Sequence, residues 1–339
     1  MTAFPTLRLA GAAGLFLAAT LPAMAATTYP LTLENCGVQV SFDHAPDSAV
    51  TIGQSATETM YALGLGDKVK GTSVWFTDVL PQYRALNDGI ERMADNDPSF
   101  ESVVAKKPGL VASQYEWYVG PQGVVGTREQ FADLGIPTYI MAADCAGKDN
   151  SKGSDGTRAA MFSMDSVYQG VRDLARIFDH PEAGEALVDQ LRQREQAAID
   201  KAGALGVRDV PALFWFSSAD LQGDPYVAGR KGPPGYMMAA LGLRNVIESD
   251  EEWPTVGWET IARANPAIIV VAKMSRRRFD ADDVDKKLEF LKTDPVASQI
   301  DAVRNNRIVV LDAHSMDPSI RNITAIEELA QALDGFDLK

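Results

Sequence analysis

Hydrophobic and polar positions divide the chain into two blocks of short apolar runs, separated by one long stretch of helical spacing at residues 163–202. Within that stretch the spacing i, i+4, i+7 predicts one apolar helix face, formed by Val167, Val171, Leu174 and Phe178. Ser163 or Asp165 can cap the first turn, and Pro181 interrupts the run because proline has no amide hydrogen. The pattern predicts a helix over residues 165–178, followed by a second helical face over residues 183–198.

Short strands and helices alternate in both blocks. The first block predicts a strand pair at 29–42, strands at 49–52, 69–71, 110–112 and 137–141, and helices starting at Ser55 (with Glu58 as a capping box), at 100–105 and at 127–134. The second block predicts strands at 211–216, 267–272 and 307–311, and helices ending near 241, at 258–264 and at 322–333. Such alternation is typical of an α/β fold with mostly parallel sheets flanked by helices.

The two blocks contain a diverged repeat. Residues 100–111, FESVVAKKPGLV, match residues 258–269, WETIARANPAII, in residue type at nearly every position, and MYALGL at 60–65 matches MAALGL at 238–243. We therefore predict two similar lobes, at residues 26–160 and 181–339, joined by a bridging helix at 161–180.

The first 25 residues have the features of an export signal. Arg8 precedes an apolar, charge-free run at 9–21, and Ala23-Met24-Ala25 forms an A-x-A cleavage pattern. We expect a periplasmic protein cleaved after Ala25. The chain has a formal net charge of −14, and losing Arg8 makes it more negative, which argues against nucleic acid and anionic membrane surfaces as partners.

The mature chain has two cysteines, Cys36 and Cys145. In an oxidising compartment such thiols tend to pair, so we expect a disulfide. The alternative is two buried, unpaired thiols.

The ordered motifs resemble a known family. SATETMYALGLGDKVKG, SFESVVAKKPGLVAS, LGIPTYIM, GWETIARANPAIIVVA and the closing NRIVVLD and IRNITAIEELAQAL are similar to segments of the periplasmic substrate-binding proteins of ABC importers. The resemblance is to the class that carries ferric siderophores, haem and cobalamin. It implies two lobes joined by one rigid helix, a ligand cleft between them and limited closure on binding.

In open α/β sheets, ligands bind beyond the carboxyl ends of the strands. The loops at those ends are rich in aromatic residues and contain arginines, which suit a bulky chelate with anionic oxygens. The predicted ligand-binding residues are Trp75, Tyr115, Trp117, Tyr118, Trp215, Phe216, Tyr226, Arg230, Trp253 and Arg321. The alternative for the aromatics is ordinary packing within a lobe. Trp215 and Phe216 are adjacent on a strand and face opposite sides, so at most one of them should reach the cleft.

Arg321 is a special case because it precedes a predicted helix, where the helix dipole disfavours a cation. An anionic ligand would offset that cost; the alternative is a surface ion pair with Asp317 or Glu327. The run Arg276-Arg277-Arg278 is more typical of a solvated segment, and His314 could lie near the cleft or simply in a loop.

Glu101 and Glu259 occupy the same position of the repeat, one in each lobe. The resemblance implies that they dock onto arginines of the importer's permease dimer, which works with a cytoplasmic ATPase. Their alternative is a first-turn glutamate favoured by the helix dipole.

We expect a monomeric binding protein whose ligand is a ferric siderophore, with no cofactor, no directly bound metal and no catalytic residues. The sequence has no GxSxG, Walker A or HExxH motif, and its three histidines lie far apart. Haem and cobalamin are the rival ligands. The alternatives from other classes are a two-lobed tetrapyrrole metal chelatase and an exported adhesion or scaffold module.

Overall fold

Two parallel sheets, each built from short apolar strands, form the centres of two lobes. The computed structural model describes residues 1, 26–153, 155–336 and 338. The predicted export signal therefore lies, apart from residue 1, outside the described residues.

The N-terminal lobe has a five-stranded sheet in the order β5-β4-β3-β6-β7, and every pairing in it is parallel. A hairpin, β1–β2, precedes this sheet, and a second short pair, β8–β9, follows it. The strands are β1 (Leu31–Asn35), β2 (Val38–Phe42), β3 (Ala49–Ile52), β4 (Val69–Ser73), β5 (Arg92–Ala94), β6 (Val111–Ser113), β7 (Thr138–Ile140), β8 (Lys148–Asp149) and β9 (Thr157–Arg158). The helices are α1 (Gln54–Ala62), α2 (Arg84–Asn87), α3 (Phe100–Ala105), α4 (Glu116–Val119) and α5 (Arg128–Ala132).

The C-terminal lobe has a second five-stranded sheet. Its strand β10 pairs in parallel with β12 and β13, β13 pairs in parallel with β14, and β11 is antiparallel to β10. The strands are β10 (Val210–Ser217), β11 (Tyr226–Val227), β12 (Leu243–Asn245), β13 (Ile268–Lys273) and β14 (Ile308–Asp312). The helices are α8 (Pro233–Ala240), α9 (Trp258–Ala264), α10 (Val284–Thr293), α11 (Asp301–Arg304) and α12 (Asn322–Asp334).

The lobes share the core topology that the sequence repeat predicts. In each sheet a central strand, β3 or β10, lies between two parallel neighbours, β4 and β6 or β12 and β13. The repeat FESVVAKKPGLV spans α3 and the start of β6, and WETIARANPAII spans α9 and the start of β13. The predicted α/β fold with two similar lobes is confirmed.

Two helices connect the lobes, α6 (Met164–Ile177) and α7 (Pro181–Leu205). Ser163 caps α6 by accepting a bond from the Asp165 amide. The buried side chains of α6 belong to the core of the N-terminal lobe.

Helix α7, rather than α6, runs from one lobe core to the other. Val188 and Leu191 pack into the N-terminal core, whereas Ala198 and Ala202 pack into a core of the C-terminal lobe. Its 25 residues span about 37 Å at 1.5 Å per residue. This corrects the predicted bridge at 161–180: Pro181 starts the bridging helix, because the first turn of a helix tolerates a residue without an amide hydrogen.

The predicted capping box at the start of α1 is also wrong. The N-cap is Gly53, two residues before Ser55, and the helix starts at Gln54. The Ser55 amide donates to the side chain of Gln114, at 2.9 Å, and the Glu58 carboxylate is used elsewhere.

Cys36 and Cys145 are joined by a disulfide that ties the β1–β2 turn to the segment after β7; their Cα atoms are 5.4 Å apart. Alkylation of the unfolded, unreduced protein is therefore expected to leave its intact mass unchanged. Reduction before alkylation should add two adducts. Two adducts without reduction would contradict the bond.

Within the part of the chain that the structure describes, no helix is both long and apolar enough to cross a bilayer.

Candidate ligand site between the lobes

A cavity of about 610 Å³ lies where the loop after β4 meets the loop after β13. We call it the interlobe pocket. It is lined by Trp75, Phe76, Thr77, Asp78, Arg92, Asp95, Asn96, Asp97 and Tyr118 from the N-terminal lobe and by Ser275, Arg276, Arg277 and Arg278 from the C-terminal lobe. Both loops follow carboxyl ends of parallel strands, where ligands of α/β proteins bind.

The aromatic wall of the pocket comes from the N-terminal lobe. The Trp75 ring is 2% exposed, its indole nitrogen donates to Thr72 at 3.2 Å, and the Arg92 guanidinium lies 4.7 Å from its ring centroid. Burial, together with the Asp97 carboxylate, raises the pKa of the Tyr118 phenol. Tyr118 is therefore a protonated donor at neutral pH.

The cationic wall comes from the C-terminal lobe. The Arg276 guanidinium lies 4.1 Å from the centroid of the Phe76 ring. Arg277 and Arg278 are exposed, and the nearest carboxylate to Arg277 is a half-exposed Asp283 at 3.8 Å. Three positive charges on one loop can thus bind the anionic oxygens of a ligand.

The two lobes touch directly beside this pocket. The Phe76 carbonyl accepts bonds from the Ser275 and Arg276 amides at 3.0 and 3.1 Å. The Thr77 hydroxyl donates to Asp312 at 2.8 Å. These contacts hold the two lobes together beside the pocket.

Arg321 forms a buried ion pair between the lobes. It is 6% exposed, its Nε donates to Glu58 of α1 at 2.7 Å, and its Nη1 lies 3.1 Å from Asp312 of β14. It is not among the residues that line the interlobe pocket. The carboxylates of Glu58 and Asp312 compensate for the unfavourable interaction of its charge with the dipole of α12. Arg321 is therefore neither the predicted ligand contact nor a surface partner of Asp317 or Glu327.

The structure brings some of the predicted ligand residues together. Trp75 and Tyr118 line the pocket. The Phe216 ring lies 6.2 Å from the Phe76 ring and 4.8 Å from the Trp253 ring, measured between centroids. Phe216 and Trp253 therefore pack behind Phe76 and do not line the pocket themselves. Tyr115 lies 6.0 Å from Tyr118.

Other predicted residues lie elsewhere. Trp215 is fully buried and packs edge-on against Trp258 at 4.8 Å, so its ring belongs to the core and Phe216 is the member of that pair that reaches the lobe interface. Tyr226 packs against Phe279. Arg230 pairs with Asp250 at 2.6 Å and lines a separate cavity of about 330 Å³. Trp117 is 54% exposed and does not line the interlobe pocket.

Sequence reasoning missed most of the polar lining. The run Arg276-Arg277-Arg278 looks solvated by composition, yet it follows β13, one of the strand ends where a ligand is expected. Asp78, Asp95 and Asp97 had no signal beyond their place near other strand ends.

Glu101 and Glu259 are both exposed and lie in the first turns of the equivalent helices α3 and α9. Their proposed role in docking stays a prediction. In the described ranges, no group of three or more His, Cys, Asp or Glu side chains is arranged to hold a metal ion. The pocket therefore offers guanidinium, aromatic and carboxylate groups to a ligand.

Two lobes of like topology, a helix spanning both and a polar, aromatic pocket between them define a two-lobed solute-binding protein. A model of the periplasmic binding protein family matches residues 50–314. The chain belongs to this family, which confirms the resemblance found in its motifs, and it is a substrate-binding protein of the ABC transporter class.

The chain is 24% identical over 307 residues to an uncharacterized ABC transporter substrate-binding lipoprotein, YvrC, of Bacillus subtilis, covering 90% of this chain and 86% of the relative. It is 23% identical to the vitamin B12-binding protein of Pectobacterium atrosepticum, covering 68% and 73%. The structure of an ABC-type Fe3+-hydroxamate transport system from Saccharomonospora viridis superposes with a TM-score of 0.71 at 25% identity, covering 90% and 99%. The chelatase alternative finds no support in these matches.

Proposed function

We propose that this protein captures a ferric siderophore in the interlobe pocket and delivers it to an ABC importer. The observation that carries this proposal is the pairing of three consecutive arginines, Arg276–278, with the aromatic wall of Trp75, Phe76 and Tyr118 across one pocket. Arginine binds carboxylate, hydroxamate and catecholate oxygens through charge-assisted hydrogen bonds. Aromatic rings supply contact area for a bulky chelate.

Two further facts support a small, chelated ligand. The pocket volume of about 610 Å³ lies within the roughly 300–1,000 Å³ typical of small-molecule sites. A similar structure is described as part of an Fe3+-hydroxamate transport system, although another relative is described as a vitamin B12-binding protein. Haem and cobalamin are therefore included in the test.

The proposal includes the partners and the compartment. The monomeric protein, exported by its residues 1–25 and cleaved after Ala25, works in the periplasm. Glu101 and Glu259 dock onto the membrane permease dimer, which is driven by a cytoplasmic ATPase. Iron is carried inside the chelate, as cargo rather than as a cofactor.

The test is a titration of the purified mature protein with a ferric tris-hydroxamate, a ferric tris-catecholate, ferric citrate, haem and cobalamin, followed by tryptophan fluorescence. We expect one of the ferric chelates to quench the emission, because Trp75 lines the pocket. Quenching by haem or cobalamin alone would contradict the siderophore assignment. No quenching by any of the five, with no heat released in calorimetry, would contradict the function.

The same titration tests the arginines. The double variant Arg277→Gln/Arg278→Gln should weaken binding of the anionic chelate by at least tenfold, because it removes two exposed cations of the pocket wall. Arg304→Gln, on the exposed surface of α11, is the control and should bind as the wild type does. Equal affinity of all three proteins would place the ligand away from this loop.

A further inference from the structure

A group of polar side chains surrounds Phe76 at the edge of the interlobe pocket; Arg276 lines that pocket, whereas His314 and Asp317 do not. His314 is fully buried and Asp317 is 6% exposed. Both ring nitrogens of His314, Oδ2 of Asp317 and Nε of Arg276 have no hydrogen-bond partner within the described part of the protein. We call these three residues the inner polar cluster.

The three residues form one cluster around Phe76. The rings of His314 and Phe76 are stacked, with centroids 6.1 Å apart and an interplanar angle of 9°. His314 Nδ1 lies 3.8 Å from Asp317 Oδ2, which is too far for a hydrogen bond. The Arg276 guanidinium lies over Phe76 at 4.1 Å.

Buried polar groups without partners cost free energy, and folded proteins have few of them. Among the described residues, four of the seven buried side-chain atoms without a partner belong to this cluster. These unpartnered atoms are concentrated next to a ligand pocket. Their location indicates that they form hydrogen bonds in another conformation of the protein or with a bound ligand.

Phe76 lies between the pocket, which Arg276 lines, and the other two members of the cluster, His314 and Asp317, which do not line it. Phe76 lines the pocket, and its carbonyl is held by the Ser275 and Arg276 amides of the opposite lobe. Separation of the lobes breaks both of these bonds. A movement of Phe76 after that separation would join His314 and Asp317 to the pocket.

We propose that the inner polar cluster is a second compartment of the ligand site, which opens when Phe76 moves and which binds a neutral amide or hydroxyl arm of the chelate. This inference rests on the proposed function. It assigns the anionic oxygens of the chelate to Arg277 and Arg278 and an uncharged arm to the compartment behind Phe76.

The charges around the cluster favour a neutral group. Burial lowers the pKa of His314 to about 4, so its imidazole is uncharged at neutral pH and offers one donor and one acceptor. Burial and the Glu252 carboxylate raise the pKa of Asp317 to about 7, although a hydrogen bond from the Tyr115 hydroxyl to the same carboxyl group acts in the opposite direction. An anionic arm would meet the Asp317 carboxyl group and a cationic arm would meet Arg276, so an amide or hydroxyl fits best.

The test uses variants for which a packing role and a binding role give different results. His314→Phe replaces an unpartnered imidazole by an apolar ring, so the thermal unfolding midpoint should stay or rise. Binding of the chelate that the wild type prefers in the panel above should nevertheless weaken at least tenfold. Asp317→Asn keeps a donor and an acceptor and should stay within about threefold of the wild type, whereas Asp317→Leu should lose at least tenfold.

The outcomes separate this inference from the proposed function. If the wild type binds the chelate and His314→Phe and Asp317→Leu bind it with the same affinity, the proposal of a second compartment is wrong. The proposed role of the interlobe pocket is then unaffected. A lower unfolding midpoint for His314→Phe shows that the imidazole already has a structural partner, such as an ordered water, and also overturns the second compartment. No binding by the wild type overturns the proposed function and this inference together.

Discussion

Charge reversal at both Glu101 and Glu259 is expected to reduce uptake to the level of cells that lack the protein, while the affinity for the ligand stays within twofold of the wild type. Both carboxylates are exposed, on equivalent helices of the two lobes. If they meet cations of a twofold permease, Glu101→Arg/Glu259→Arg places like charges opposite each other at two contacts. Each such contact costs several kcal/mol.

The measurement is uptake of the chelate identified by titration, in cells whose only copy of the protein is the variant. The matched control is Glu182→Arg/Glu289→Arg, which reverses two other exposed glutamates; Glu182 also lies in a helix first turn. This control should transport normally, because the loss of a favourable first-turn charge costs only about 0.3–1 kcal/mol. Normal uptake by the Glu101/Glu259 variant would show that docking does not use this pair. A loss of ligand affinity would place them in the binding site.

Replacing Arg321 by methionine is expected to lower the free energy of unfolding by about 3–5 kcal/mol. The variant leaves the carboxylate of Glu58, which is fully buried, without its guanidinium partner. An uncompensated buried charge is far more costly than a lost surface contact. Urea unfolding at neutral pH gives the value.

Two further variants isolate the cause. Arg194→Met breaks an ion pair with Glu327 whose side chains are 39% and 36% exposed, and it should cost no more than about 1 kcal/mol. Adding Glu58→Gln to Arg321→Met removes the uncompensated charge and should restore part of the lost stability. If Arg321→Met costs no more than Arg194→Met, or if the added Glu58→Gln makes it worse, the buried pair is not the reason.

The regular part of the fold could be predicted because its determinants are local. Helix α3 begins and ends at the predicted residues, 100–105, since Ser99 caps its first turn and the apolar spacing is clear. The strand ends are predicted to within one or two residues in most cases, because short apolar runs mark buried parallel strands. The repeat of FESVVAKKPGLV as WETIARANPAII predicts the equivalence of the lobes without any long-range contact.

Long-range partners could not be predicted. Glu58 has the spacing of a capping box, but its carboxylate binds Arg321, 263 positions away. Likewise, Pro181 marks a helix boundary correctly, but the choice of α7 as the bridge depends on which core each helix turn enters. Such choices are made by tertiary packing rather than by local sequence.

The pocket likewise combines features that the sequence predicts with features that depend on long-range contacts. Its position at the strand ends and its aromatic character follow from the topology and the loop sequences. The roles of Arg276–278 do not, because a run of like charges is typical of a solvated surface, and only the opposite lobe turns that run into a pocket wall.

Helix α7 also determines how the two lobes unfold. Its first half completes the core of one lobe and its second half completes a core of the other. If one lobe unfolds, the other loses the core contacts that α7 provides. The two lobes should therefore unfold as one cooperative unit rather than as separate domains. A lobe exchanged between relatives would have to bring this helix, or a faithful copy of one of its faces, with it.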